Sequence, residues 1–409
     1  MNRRSLQNAG IILLMCSLLL YALPLAGPTG SAAAEGTVTV YFANWNIYQD
    51  DSCQVRNLPW DRLDRIHHAF WKIVPEGNGF ALAPTDSWAD LDTSNAKAHF
   101  PQYAEYAARY PQVEILLSVG GWTCSGYFSQ MALTKESRSS FIQSCVDVLA
   151  EYSFLDGLDL DWEYPGVART GSGNDEGCPV MGDDFCNYTL LLKELRAALD
   201  ERFGTGKKKL TVCAGASEQI LGKQDYAALH PYVDAINLMT YDMTGSYSAV
   251  TGHHSPLYGT VSADQAVRYL RGLGVPAGKI GIGTPLYCHG WKNVDFSGQI
   301  VGASASGKNK GGNLLWKNIA AFESAAAEDG LGWHAGYDEQ AQAAYLWNDD
   351  PSSPYYRNFL TYESSRSLDA KLQYIQANGL GGIIVWQSGG DDGAAGWPML
   401  TQMARTLHP

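Results

Sequence analysis

The chain has 409 residues, 45% of them apolar and 17% charged, which is enough apolar material for a sizeable core in one large domain or two. Its formal net charge of −13 argues against nucleic acid as a partner, because phosphates reward a basic surface. Aromatic side chains are plentiful, with 12 Trp and 23 Tyr.

The first 34 residues read as a secretion signal. Arg3 and Arg4 form a basic start, "AGIILLMCSLLLYALPLAG" an apolar core, and "SAAAEG" a small-residue cleavage pattern that places the cut after Ala34. Pro24 and the Gly/Pro/Ser run argue against a membrane anchor, and Met15 before Cys16 argues against a lipoprotein. The mature protein is therefore expected outside the cell, off the membrane and, by default, monomeric. Losing Arg3 and Arg4 and no acid takes the charge from −13 to −15 (−13 − 2). Seven cysteines remain: Cys53, Cys124, Cys145, Cys178, Cys186, Cys213 and Cys288. Cys178 and Cys186 flank a short Gly/Asp-rich stretch and are expected to form a local disulfide. Cys145 and Cys213 sit in apolar patterns and are expected as buried thiols. No C-x-x-C pair supports a cysteine zinc site.

Beyond the signal, short apolar runs recur, each bounded by Gly, Asn, Asp or Ser: 38–45, 66–71, 113–122, 155–162, 210–217, 233–242, 279–287 and 381–387. Helix-like segments stand between most of them, at 135–152, 187–203, 262–274 and 367–379. Strands apolar on both faces that alternate with helices indicate parallel βα units, and eight of them predict a (β/α)8 TIM barrel. A doubly wound open sheet is the competing architecture, weakened because no Gly-rich dinucleotide fingerprint follows the first strand. About ninety residues separate the seventh and eighth strands, too many for a connection without structure of its own. A small α+β insertion is therefore expected at 288–365, with the barrel formed by 35–287 and 366–409.

The fourth strand carries the chemistry. In "DGLDLDWEYPG" (156–166) the acids Asp159, Asp161 and Glu163 fall two apart, so they share one face at about 7 Å spacing, while Leu158, Leu160 and Trp162 take the other. Active sites of such barrels form where strand C-termini meet the following loops. Glu163, at the strand end just before Pro165, is thus placed as a catalytic acid with Asp161 and Asp159 beneath it. Enclosed like charges cannot all ionise cheaply, so at least one should keep a proton near neutral pH, which a general acid needs. Asp156 is on the opposite face and expected to be structural. Two other uses of such acids are a solvent-facing strand and a magnesium or calcium site. The other strand ends, rich in Ser, Tyr, Met and Trp, offer a cation few ligands.

These residues resemble glycoside hydrolase family 18, the chitinases. "DGLDLDWE" fits the D-x-x-D-x-D-x-E signature, "SVGG" (118–121) resembles the S-x-G-G motif of the third strand and "MTYD" (239–242) the M-x-Y-D motif of the sixth. Trp386 stands where the family has a Trp on the eighth strand, and the insertion resembles that of the deep-cleft bacterial-type subgroup. The resemblance runs from about Val38 to the C-terminus. It implies a substrate-assisted retaining mechanism: Glu163 as general acid and then base, Asp161 orienting the substrate's 2-acetamido group, Asp159 sharing a proton with Asp161, and Tyr241 hydrogen-bonding the acetamido carbonyl. Trp386, Trp122 and Trp45 are candidate sugar platforms, Met239, Asp242 and Tyr287 candidate pocket residues, and Ser118 a candidate hydrogen-bond partner of the deeper acids. The mechanism requires no metal or organic cofactor.

One departure stands out. After the seventh strand the family commonly reads Tyr-Gly-Arg, whereas this chain has Tyr287, Cys288 and His289, which puts substrate positioning at that loop in question. The leading reading is a chitinase acting on chitin or chito-oligosaccharides. An endo-β-N-acetylglucosaminidase acting on N-glycans needs the same acids. A non-catalytic chitin-binding lectin is the third reading, and the presence of Glu163 speaks against it.

Overall fold

The computed structural model describes residues 36–305, 314–327 and 331–408. The first 34 residues, expected to be a secretion signal, and most of the Gly/Ser/Lys-rich turn at 302–313 lie outside them. Among the described residues, eight parallel strands close into a barrel. They are β1 (Thr37–Ala43), β2 (Arg65–Glu76), β3 (Glu114–Gly120), β4 (Gly157–Asp161), β5 (Lys209–Gly215), β6 (Ala235–Met239), β7 (Ile280–Pro285) and β8 (Gly382–Trp386). Each strand pairs with the next, and β1 pairs with both β2 and β8. That last pairing closes the ring, and closure excludes the open doubly wound sheet.

The helices begin where local chemistry starts them. Thr134 makes a capping box with Ser137 before Lys135–Glu151, and Ser364 does the same with Ser367 before Ser365–Asn378. Asp183 caps Asp184–Phe203 and Ser262 caps Ala263–Gly272. Leu158, Leu160 and Trp162 pack outward into the main core, where the Trp162 ring stacks on Phe128 at 5.2 Å and meets Tyr188 edge-on. The alternate residues of β4 are thereby turned to the barrel axis.

A hairpin absent from the sequence reading follows β2: Gly79–Pro84 pairs antiparallel with Trp71–Glu76. The backbone N–H groups of Phe80 and Leu82 donate to Ser140 and Ser144 on helix Lys135–Glu151.

Between β7 and β8 the chain builds an antiparallel sheet in the order Trp333–Asp338, Ala343–Asn348, Asn358–Tyr362, His289–Trp291, with helix Trp316–Ala327. It has its own small core of Ile319, Trp333, Leu346, Leu360 and Tyr362. A buried ion pair joins Glu363, just after the strand Asn358–Tyr362, to Lys371 of helix Ser365–Asn378. Thr284 of β7 donates to Glu363 Oε2 at 2.5 Å, and Lys371 Nζ donates to Ser255 Oγ at 2.6 Å.

The expected Cys178–Cys186 disulfide is not formed. The Cys178 thiol is buried, accepts from Trp162 Nε1 at 3.3 Å and donates to the Tyr164 carbonyl at 3.5 Å, while Cys186 is exposed on the next helix. The indole behind the fourth strand holds that sulfur inward. Cys145 and Cys213 are buried thiols, as expected.

Candidate active site

Asp159, Asp161 and Glu163 lie at three depths of one barrel, and each meets a different environment. Asp159 is sealed in the floor. Its Oδ1 accepts from Thr211 Oγ1 (2.6 Å) and Asn237 Nδ2 (3.3 Å), and its Oδ2 from Ser118 Oγ (2.7 Å) and Tyr41 OH (2.9 Å), with His67 Nδ1 at 3.4 Å. Burial works against its charge, but His67 and the surrounding hydroxyls outweigh that and hold the carboxyl below its usual range.

Asp161, one layer up, is pushed well above the carboxylate range by burial and by the neighbouring Glu163 and Asp159. Its Oδ1 is buried with no hydrogen-bond partner. Among the described residues no hydrogen bond joins Asp159 to Asp161, so this geometry separates the ionised acid from the protonated one. Asp156, below the strand, accepts from the Ile115 N–H at 2.9 Å and ties β4 to β3.

Glu163 follows the last residue of β4, its backbone N–H donating to Ser125 Oγ at 3.0 Å. Burial pushes its carboxyl up to about 7; Tyr164 and Arg169 oppose the rise and the Asp242 charge adds to it. A carboxyl poised there is half protonated near neutral pH, which suits a group that must both give and take a proton.

Glu163 borders two pockets. One, of about 250 Å³, is lined by Tyr41, Trp45, Phe70, Asp161, Tyr241 and Trp386, among others. The other, of about 610 Å³, runs past Val167, Arg169, Met243 and His289. Trp122, Glu163, Met239, Tyr241 and Asp242 belong to both. Trp386 forms a platform stacked on Phe70 at 5.6 Å, with Trp45 at 6.0 Å. Trp45 and Trp122 are exposed, and the Arg169 guanidinium lies 3.8 Å from the Trp122 ring centroid. Tyr241 packs over Gly283 of β7, where a Cβ would come within 2.6 Å of its ring. Asp242 sits at φ 57, in the left-handed region that Asp tolerates better than most residues.

Two candidates lie outside the pockets. Ser118 is completely buried and its hydroxyl donates to the floor acid Asp159, so it positions that carboxylate and does not line either pocket. Tyr287 donates to Asp242 Oδ1 at 2.6 Å and thereby orients a pocket residue. The sequence reading missed Tyr41, His67, Thr211, Cys213 and Asn237, which surround Asp159. All occupy axis-facing positions of their strands, so the period of two that exposed the acids on β4 would have found them on β1, β2, β5 and β6 as well.

The family model of the glycosyl hydrolases family 18 matches residues 37–391. Chitinase A1 of Niallia circulans is 34% identical over 92% of this chain and 60% of its own length. Chitinase A of Pseudoalteromonas piscicida is 31% identical over 88% of this chain and 51% of its own. The chain thus spans about half to three fifths of those two relatives. Among solved structures, chitinase ChiA74 from Bacillus thuringiensis superimposes with a TM-score of 0.79 at 25% identity, covering 91% of this chain and 70% of that one.

Proposed function

The chain belongs to the glycosyl hydrolases family 18, and on that footing we propose that it is a secreted, monomeric chitinase cutting the β-1,4 linkages of N-acetylglucosamine chains with retention. The observation that carries this reading is Glu163, a carboxyl pushed up to about 7, standing where two pockets meet. A linear sugar chain running from one pocket to the other would lay a glycosidic oxygen across it.

In the first step Glu163 gives its proton to that oxygen while the acetamido oxygen of the sugar on Trp386 attacks the anomeric carbon. The leaving chain departs with the proton and an oxazolinium ion remains. In the second step Glu163, now a carboxylate, takes a proton from water as the water adds to the anomeric carbon and the bond from that carbon to the acetamido oxygen breaks, which restores the acid and the neutral acetamido group and retains the configuration. Asp161 lines the pocket and has a buried, unpartnered Oδ1, an acceptor suited to the acetamido N–H. Tyr241, on the pocket wall, supplies a hydroxyl for the acetamido carbonyl.

The antiparallel sheet between β7 and β8 is read as an insertion subdomain, 288–365, that raises one wall of the groove. The secreted reading rests on the first 34 residues. Among the described residues, no helix is long and apolar enough to cross a membrane.

Chitohexaose incubated with the protein in EDTA and followed by NMR tests the proposal. Fresh β-anomer products are expected. Oligomer bound but uncut would sink the catalytic reading in favour of a lectin, and cleavage of N-glycans alone would move the assignment to an endo-β-N-acetylglucosaminidase.

A further inference from the structure

Asp242 takes part in a second cluster that glycosidic hydrolysis does not require. His289 Nε2 lies 2.6 Å from Asp242 Oδ1, and His254 Nδ1 lies 3.9 Å from the same oxygen. One ligand atom from each of the three residues lies within 4.8 Å of the others. His254 is completely buried, yet neither of its ring nitrogens has a hydrogen-bond partner, and the outer nitrogen of His289 has none either. A buried polar atom without a partner is costly enough to call for an explanation. Hydrogen bonding accounts for one nitrogen of His289 and for neither nitrogen of His254.

A second cluster in the same chain supplies the contrast. The Asp90 carboxylate has His68 Nε2 at 2.9 Å and His99 Nδ1 at 3.0 Å and accepts from the indole N–H of Trp71 (3.0 Å), all of it buried. Its imidazoles too carry ring nitrogens without a hydrogen-bond partner, and their ligand atoms lie equally close, but all three residues are sealed from solvent, so no ion can reach them. At Asp242 the side chain is 51% exposed, and with His289 it lines the larger pocket, so an ion has a route in and a coordination position is left open.

We propose that Asp242, His254 and His289 form a binding site for a zinc-class divalent cation on the wall of the cleft that contains Glu163. Two imidazoles and one carboxylate with an open position suit the borderline ions of the late first transition series better than magnesium or calcium, which prefer all-oxygen shells. Tyr287, donating to Asp242 Oδ1, orients the carboxylate as outer-shell partners do at metal sites. An ion held there draws Asp242 away from the sugar path and occupies the same pocket, so zinc acts as a reversible inhibitor. That consequence, unlike the site itself, rests on the reading of the pocket as a sugar cleft.

The test uses the whole protein freed of metal by EDTA and then dialysed. Cobalt(II) is titrated while its visible d–d absorption is recorded, and zinc is titrated calorimetrically. Wild type should bind one ion per chain with Kd of about 10 μM or tighter. His289→Arg, which replaces a lone-pair donor with a guanidinium that has none to give, should bind at least about tenfold more weakly. His254→Gln should do the same, a second variant in case one misfolds, and circular dichroism verifies the fold of each. No ligand-field spectrum in wild type, or equal binding by wild type and both folded variants, overturns the site. In the kinetic arm, zinc should lower wild-type turnover reversibly and leave the residual turnover of His289→Arg unchanged. Zinc binding that is lost in the variants but never affects turnover supports the site and overturns the placing of Asp242 on the sugar path.

Discussion

Replacing Asp159 by Asn probes the barrel floor without touching the pocket surface. The carboxylate accepts four hydrogen bonds from uncharged N–H and O–H groups, those of Thr211, Asn237, Ser118 and Tyr41, and a weaker one from the Cys213 thiol at 3.6 Å, with His67 beside it. A hydrogen bond to a charged acceptor contributes about 1 kcal/mol more than one to a neutral acceptor, so four of them put about 4 kcal/mol at stake. An amide keeps one oxygen and turns an NH2 toward two of the donors. Hydroxyls can rotate to accept from it, and the cost of burying a charge disappears. The expected net loss is about 2–4 kcal/mol at pH 7.

The pH dependence of that loss gives a second check. The folded-state pKa of Asp159 is depressed. Its contribution is therefore fully present above the unfolded value of about 3.9 and is lost as the pH falls toward the folded value. Urea melts of both proteins across pH 3–7 should show a gap that is constant down to about pH 4 and narrows below it. A gap under about 1 kcal/mol at pH 7, or one that widens in acid, would refute the ionised, donor-saturated floor.

Glu163→Gln should retain chito-oligosaccharide affinity within a few fold while kcat falls by about 10²–10⁴, because the proton is removed and the shape is not; normal turnover would overturn the acid assignment. In the wild type kcat should decline as the pH rises through about 7, since burial raises the Glu163 pKa to that value and only the protonated form can serve the leaving oxygen. A decline centred near 4.5 instead would mean that the pocket leaves Glu163 an ordinary carboxyl. Gly283→Ala places a methyl 2.6 Å from the Tyr241 ring and 2.8 Å from the Leu238 carbonyl, so Tyr241 must move and turnover should fall at least about tenfold. An alanine variant with unchanged kcat would show that the position of Tyr241 is not critical. Tyr241→Phe, which leaves the ring in place, should lower kcat by about 10–100-fold with little change in melting temperature, and calorimetry with kinetics separates the two effects.

The fourth strand was readable because two signals agree there: an alternation of Leu and Asp, and a run bounded by a Gly and a Pro. The strand–helix alternation carried the barrel, since each apolar run must be covered on both faces. Other features depend on which side chain reaches which, and spacing does not encode that. Cys178 and Cys186 are close in sequence, yet Trp162 holds the first inward while the second faces solvent. Ser118 belongs to a motif that lines a cleft, but its place in the register opposite Asp159 puts it beneath the pocket. The hairpin Gly79–Pro84 is a local turn signal, "EGNG", followed by a short alternation whose docking on Ser140 and Ser144 only the tertiary structure reveals.

The Glu363–Lys371 pair bears on how firmly the insertion is held against the barrel. Both side chains are sealed, and their further hydrogen bonds reach Thr284 on β7 and Ser255 in the loop after β6. Separating them would leave two bare charges in the interior, at about 3–5 kcal/mol for the loss of either partner. The antiparallel sheet is in this way riveted to the barrel and does not swing over it. On the proposed reading the cleft wall that this sheet forms is fixed in place, a gauge of set width and not a jaw.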